Sequence, residues 1–351
     1  MVTVSSPSAT ARWEFLEPND PRWQELVARS RDALPFHRPA WLEILADCYG
    51  FRPFVLAVPD AEGRLSAGVP LMEVKTPLRG RRWIALPFTD RCPPLVTSPE
   101  AGQGLAEALD GARHEAGIDR LEIRSKVAGP GFADGIVAVT HLLDLGPGYD
   151  ALERSFAPAT RRNLRRAQRE GLELRLADSE DCIVSTFYEL QARTRRRLGV
   201  PVQPRRYFRA LWRLGLEQGL GYALLVFQRG RPIAGAVLLV AGETVVYKYG
   251  ASDDRSWELR PNNLLFGEAI RRACEDGAAV FDFGRSDLEH AGLRAFKAGW
   301  GASEVPLVYT TTGQRPAPAG SFASRLASAA LRRAPIRMSR ALGETLYRYA
   351  A

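Results

Sequence analysis

The 351-residue sequence holds only four cysteines, four histidines and three methionines. Cys48, Cys92, Cys182 and Cys274 stand far apart, so no disulfide framework is written into the chain. His37, His114, His141 and His290 lack the short spacings of metal ligands, which argues against a zinc site and for a metal-independent chemistry. Long apolar runs are missing too. The longest, around Ala234–Ala241, falls far short of the roughly 20 residues that a bilayer span needs. The opening stretch "MVTVSSPSATARWEFLEPND" has no apolar core of the kind a secretory signal carries. These absences lead us to expect a cytoplasmic protein with reduced, mostly buried thiols. Acids are scarce in one place. From Gly313 onward seven arginines face a single acid, Glu344, so the tail carries +6 of the net +8.

What is present describes a globular protein: 46% hydrophobic and 25% charged residues. The length exceeds what one core usually supports, which predicts two domains. The basic balance, with pI near 9.6, points to an anionic partner. Because most of the excess lies in the tail, it says little about an active site.

A repeat organises the chain. Residues 54–72 read "FVLAVPDAEGRLSAGVPLM" and residues 223–239 read "ALLVFQRGRPIAGAVLL". Both contain G-R-x-x-A-G-x-x-L, as Gly63, Arg64, Ala67, Gly68 and Leu71, and as Gly230, Arg231, Ala234, Gly235 and Leu238. The pattern predicts two antiparallel hairpins, each with a glycine in its second strand for a bulge or a close backbone approach. Around the first hairpin we expect helices within 21–49, a strand at 82–86, a helix at 101–116 and strands at 120–125 and 140–145. "GPG" at 146–148 marks a boundary. Beyond it we expect a helix from Pro158 to Glu170 capped by Gly171, and a strand at 172–176. A helix then ends at Gly199, and another lies within 204–219. The second hairpin, strands at 244–252, 279–284 and 305–311, and a helix from about 263 to 276 complete the series. The tail reads as two short basic amphipathic helices split at Pro335. They either pack on the body or lie on an anionic membrane surface.

"VVYKYGASDD", "RPNNLLFGEAI" and "FDFGRSD…GLRAFKAGWGA…LVY", with the helix "RRNLRRAQREGLELR", resemble the FemAB-like branch of the GNAT acyltransferase superfamily, including its exopolysaccharide-locus members. The resemblance implies an α/β fold of two tandem GNAT-like domains with mixed central sheets. A degenerate N-terminal domain would span 1–147, an acyltransferase domain 148–312 and a basic helical tail 313–351. It implies an N-acyltransferase moving an acetyl, acyl or aminoacyl group onto an amine in cell-envelope or exopolysaccharide metabolism. The donor would be acyl-CoA, including acetyl-CoA, or aminoacyl-tRNA. The acceptor would be a small-molecule, nucleotide-linked or lipid-linked saccharide, with peripheral contact at the inner membrane face through the tail. GNAT enzymes seat the CoA pyrophosphate on a glycine-rich turn at a helix N-terminus. The equivalent stretch here, "DDRSWELRPNNLLF", contains no glycine.

From the resemblance, Lys297 sits near the reacting carbonyl or the donor phosphate, where a fixed ammonium suits an oxyanion. Asp287, Asp282 or Asp253 would accept the amine proton. Arg285 and Ser286 would position the substrate. Tyr247 and Tyr249, two apart on one strand face, would line the cleft with Ser252, Asn262 and Asn263, while Lys248 points away. Arg161, Arg162 and Asn163, in a run continuing through Arg165, Arg166 and Arg169, would contact tRNA or precursor phosphates. The loop "LPFTDRCPPL" (86–95) would bring Asp90 and Arg91 to the cleft between the domains. The alternative to an enzyme is a GNAT-like binding module for an anionic polymer or membrane.

Overall fold

A computed structural model describes residues 13–76, 80–313 and 322–347. The start of the N-terminal stretch, to Arg12, and the Pro- and Gly-rich opening of the tail lie outside them. In chain order come β1 (Glu14–Leu16), α1 (Pro21–Arg29), α2 (Pro39–Tyr49), β2 (Arg52–Pro59), β3 (Leu65–Thr76), β4 (Gly80–Ile84), β5 (Leu95–Val96), α3 (Pro99–Glu115), β6 (Arg120–Ile123) and β7 (Phe132–Asp144). Then follow α4 (Tyr149–Ser155), α5 (Pro158–Arg169), β8 (Glu173–Leu176), α6 (Tyr188–Leu198), α7 (Arg205–Ala210), β9 (Gly221–Gln228), β10 (Arg231–Ala241) and β11 (Thr244–Ser252). The last elements are α8 (Pro261–Glu275), β12 (Val280–Asp282), α9 (Ala291–Ala298), β13 (Ser303–Thr312), α10 (Phe322–Arg333) and α11 (Ile336–Leu346).

The described residues form two compact units. One gathers 13–42, 51–135 and 308–313; the other 43–50, 136–307 and 322–347. In the first, β2 and β3 form the predicted hairpin, β4 pairs antiparallel with β3, and α3 leads to β6, which runs parallel to β4. Side chains alternate with the strand period. Phe54, Leu56 and Val58 face Leu105, Ala108, Leu109 and Ala112 of α3. Val55 and Ala57 face Trp23 and Leu26 of α1. Burying each such side chain contributes about 1.5–3 kcal/mol, which is why both faces of the hairpin are covered.

The second unit repeats this connectivity. β9 and β10 form the hairpin, β11 pairs antiparallel with β10, and α8 leads to β12, parallel to β11. β7 from Ile136 onward pairs antiparallel with β12, and β8 with β9. The two hairpins share finer detail. The turn glycines Gly63 and Gly230 take φ of 81° and 75°, where only glycine is unstrained. Each second strand carries a bulge three places later, at Ser66 and at Ile233. Two residues further on, a Cβ on Gly68 would lie 2.9 Å from Trp23, and one on Gly235 2.9 Å from Phe187. Both glycines therefore admit an aromatic ring against bare backbone, the close approach expected from the sequence.

Several expectations change in detail. β7 begins at Phe132 rather than 140, and β12 is three residues long. The helix ending at Gly199 opens with a π-helical stretch, Cys182–Phe187, before α6. α4 and α9 are additional helices, too short for a periodic pattern to reveal. The tail forms two helices split at Pro335, and its second helix packs on the second unit through α6. Among the described residues no helix is long and apolar enough to cross a membrane.

Candidate functional site

β11 and β12 pair over three residues only, Thr244–Val246 against Val280–Asp282, after which β11 continues alone along β10 to Ser252. The parallel pair opens into a fork at the carboxyl ends of its strands, where open α/β sheets place ligands. Opposite the fork β11 carries a bulge. Val237 faces Tyr249 and Leu238 faces Tyr247, leaving Lys248 as the extra residue. The bulge corrects the expectation that both tyrosines share one face. Tyr247 lies toward α8, with its ring centroid 4.7 Å from that of Phe266. Tyr249 lies toward α7 and is buried, its hydroxyl 2.7 Å from the Tyr207 hydroxyl. The Tyr247 hydroxyl fills the place of a Gly250 side chain, 1.4 Å from an ideal Cβ there. Burial pushes the pKa of Tyr247 up, so its hydroxyl stays neutral.

The turn from β11 into α8 closes on itself. Asp253 is buried and accepts from Arg231 Nη2 at 2.6 Å, from Arg255 Nη2 at 3.0 Å and from the Arg255 backbone N–H at 3.2 Å; Arg193 stands 3.9 Å away. Hydrogen bonding from Arg255, with the charges of Arg255 and Arg231, holds its carboxyl below the usual range. Asp253 therefore anchors arginines and is a poor proton acceptor. The Ser256 N–H goes to the Asp253 carbonyl, and the Asn263 and Leu264 N–H groups both go to the Arg260 carbonyl. Arg260 holds φ of 57° at the helix N-cap, and Pro261 contributes no N–H. Ser252 Oγ accepts from Trp257 Nε1 at 2.9 Å and Asn262 Nδ2 at 3.4 Å; Asn263 is buried.

At the other arm of the fork, Asp282 is buried and accepts from Thr140 Oγ1 at 2.5 Å and from the Gly284 N–H at 2.8 Å. Lys297 reaches from α9 into the same interior. It is 2% exposed, and its Nζ donates to the Gly284 carbonyl at 2.6 Å and the Arg285 carbonyl at 3.1 Å. Arg285 pairs with Asp287 at 3.0 Å. The Asp287 side chain is 51% exposed, the accessible one of the three carboxylates considered. Ser286 bridges to Val139 through its backbone, while its buried hydroxyl finds no partner among the described residues. The structure thus brings Asp282, Arg285, Ser286, Asp287 and Lys297 together.

Sequence reasoning missed His141 and Thr140 of β7 in this neighbourhood. His141 is fully buried with Nε2 3.4 Å from Glu304; desolvation, then the charge of Lys297, lowers its proton affinity. A histidine inside the apolar run "THLLDL" was the available signal.

Arg161, Arg162 and Asn163 lie on α5, whose first turn abuts Gly299 at the end of α9. Arg161, Arg162, Arg165 and Arg169 line a surface hollow of about 440 Å³ with Pro158. α5 is seated by Leu164, which packs where Gly267 of α8 lacks a side chain, and by the Ala157 N–H on the Gly299 carbonyl at 2.9 Å. In the first unit, the loop holding Asp90 and Arg91 includes two non-glycine residues at positive φ, Leu86 at 61° and Phe88 at 60°. It is held by the Tyr309 hydroxyl on the Asp90 carbonyl at 2.9 Å and by Arg124 on the Thr89 carbonyl.

Residues 154–298 match the acetyltransferase (GNAT) domain family. Forked parallel strands, a bulged neighbour and a crossover helix thus define a mixed α/β fold of the GNAT acyltransferase class. Within that class the chain is FemAB-like. A stretch of 75 residues is 40% identical to the lipid II:glycine glycyltransferase of Staphylococcus epidermidis and 39% identical to that of Staphylococcus aureus. The match takes in 20% of this chain and 18% of the relative, so the chain spans under a fifth of the length of the curated relatives it matches. Among solved structures the fold is similar to FemX, with TM-score 0.69 and 19% identity over 85% of this chain and 96% of that one. It is also similar to a tandem GNAT protein from the clavulanic acid biosynthesis pathway, with TM-score 0.50 and 17% identity over 86% and 99%.

Proposed function

We propose that the chain is an N-acyltransferase with two tandem GNAT-like domains. It moves an aminoacyl group from an RNA ester, rather than an acyl-CoA thioester, to the amine of a lipid-linked or nucleotide-linked saccharide in cell-envelope synthesis. The observation that carries the choice of donor is the turn before α8. The Asn263 and Leu264 N–H groups at the head of α8 are spent on the Arg260 carbonyl, Pro261 supplies none, the stretch has no glycine to admit a pyrophosphate against bare backbone, and Arg231 and Arg255 are engaged by Asp253. The aligned glycyltransferases support the aminoacyl reading. The lipid II named for them supports an acceptor of the lipid-linked class.

In this reading the acceptor nitrogen attacks the ester carbonyl carbon in the fork. A C–N bond forms, the carbonyl becomes an oxyanion, and collapse breaks the C–O bond to the ribose. Asp287 takes the amine proton and returns it to the departing ribose oxygen. The Tyr247 hydroxyl donates to the oxyanion in this reading. Lys297 acts from beneath, fixing the carbonyls of Gly284 and Arg285 so that Arg285 and Asp287 are presented. Asp282 anchors the same loop. Arg161, Arg162 and Asn163 receive phosphates of the donor.

The test is a donor screen. The full chain is given an amine-bearing lipid-linked or nucleotide-linked saccharide with tRNA charged with labelled amino acid, or with labelled acetyl-CoA. Label should pass from the charged tRNA. Product from acetyl-CoA and none from charged tRNA overturns the reading.

A further inference from the structure

The tail helices have two unlike faces. The inner one is committed to the body of the second unit. Ser339 is buried, and the Gly343 backbone lies against the Val202 carbonyl, leaving no room for a side chain. Arg340 pairs with Glu189 of α6 at 2.5 Å, and Arg196 donates to the Ala334 carbonyl at 2.8 Å. The Tyr347 hydroxyl accepts from Arg195 at 3.2 Å. Even the acid of the tail is turned inward, with Glu344 accepting the Arg205 N–H at 2.9 Å.

The outer face is different. At the elbow where α10 meets α11, Arg332, Arg333, Arg337 and Met338 are exposed. None of the three arginines forms an ion pair among the described residues. Met338 is 53% exposed, the most exposed of the large apolar side chains among the described residues. Within seven residues, then, the surface offers three cations, one apolar tooth and no acid. Arginines that keep their heads at the headgroup level, around an apolar residue that enters the acyl boundary, describe an interfacial membrane contact.

We infer that this elbow seats the protein on an anionic lipid surface, with Met338 inserted and Arg332, Arg333 and Arg337 on lipid phosphates. The inference rests on the proposed lipid-linked acceptor for its biological sense and on the elbow itself for its content. Charge complementarity selects the occupant: an electroneutral surface would leave the arginines unanswered, and a soluble polyanion has no use for Met338.

Flotation of the full chain with phosphatidylcholine vesicles, with and without phosphatidylglycerol, tests it. Binding should need the anionic lipid and weaken as salt shortens the range of charge. Each arginine near such a surface contributes about five-fold, so joint replacement by R332Q, R333Q and R337Q should lower partitioning by about 100-fold. Met338→Ala should lower it several-fold without changing its salt dependence. Joint R162E and R165E on α5 should leave it unchanged. Equal binding to pure phosphatidylcholine, or loss through the α5 pair and not the tail triple, overturns the inference. So does loss of RNA-hairpin binding by the triple in a protein that never floats with vesicles. The assay contains no donor or acceptor, so its failure is separate from failure of the transfer reading.

Discussion

Two carbonyl oxygens, of Gly284 and Arg285, accept hydrogen bonds from Lys297 Nζ inside the protein. Leaving them without a donor costs about 1–3 kcal/mol per buried group, so Lys297→Met should loosen the loop that carries Arg285 and Asp287. If Lys297 acts by positioning, kcat should fall by about 100-fold with KM changed less, and Lys297→Arg should recover part of it. Equal loss in a variant that melts as the parent does would instead mean direct contact with the reacting atoms. His37 shows burial acting on a neutral group. Its Nδ1 accepts the Leu34 N–H at 2.8 Å and its Nε2 lies 2.8 Å from the Pro93 carbonyl. Desolvation brings its pKa down from 6.5 to about 4. As pH falls below 6.5 the unfolded chain takes up the proton first, so stability is full above 6.5 and is lost progressively toward 4. The loss is on the order of 2–3 kcal/mol. Urea midpoints measured across this window should decline in the parent and decline less in His37→Gln. That Lys297 and Asp282 belong to one neighbourhood was legible in the sequence. Their burial was not, because it depends on which helix covers the loop.

Among elements, the seat of α5 on α8 is set by one missing side chain. An ideal Cβ on Gly267 would lie 2.7 Å from Leu164 Cδ1, and Leu164 is itself fully buried. Gly267→Val should therefore cost about 1–3 kcal/mol by overpacking, read as a lower melting temperature. Trimming the partner by Leu164→Ala in the same chain should return part of it. β11 was read to the residue, since its aliphatic and aromatic run ends at polar residues on both sides. α9 was not foreseen: eight residues beginning Ala-Gly carry too little periodicity. β5 has two residues and exists only through its pairing with β3. The error over Tyr247 and Tyr249 has the same origin. A bulge belongs to a pair of strands, and one strand's sequence does not contain it.

At the scale of the molecule, the repeated hairpin was the most legible feature. Turn glycine, bulge and bare-backbone glycine recur at matching intervals because each solves a local steric problem that short patterns record. The charge distribution was equally plain, with the tail holding +6 of +8. How that charge is used was not plain, because it depends on which face of each helix is spent on packing. Arg195 and Arg196 of α6 and Arg340 of the tail are spent on contacts between the tail and the body. Arg332, Arg333 and Arg337 of the same tail remain outward.

The extra residue at Lys248 gives β11 an odd count against its partner. From Tyr249 to Ser252 every side chain takes the side that plain alternation would deny it. Pairing Lys248 in regular register would swing Tyr249 toward α8 and away from Tyr207, whereas removing Lys248 would leave Tyr249 where it is. In any exchange of this strand with a related one, length would matter before identity.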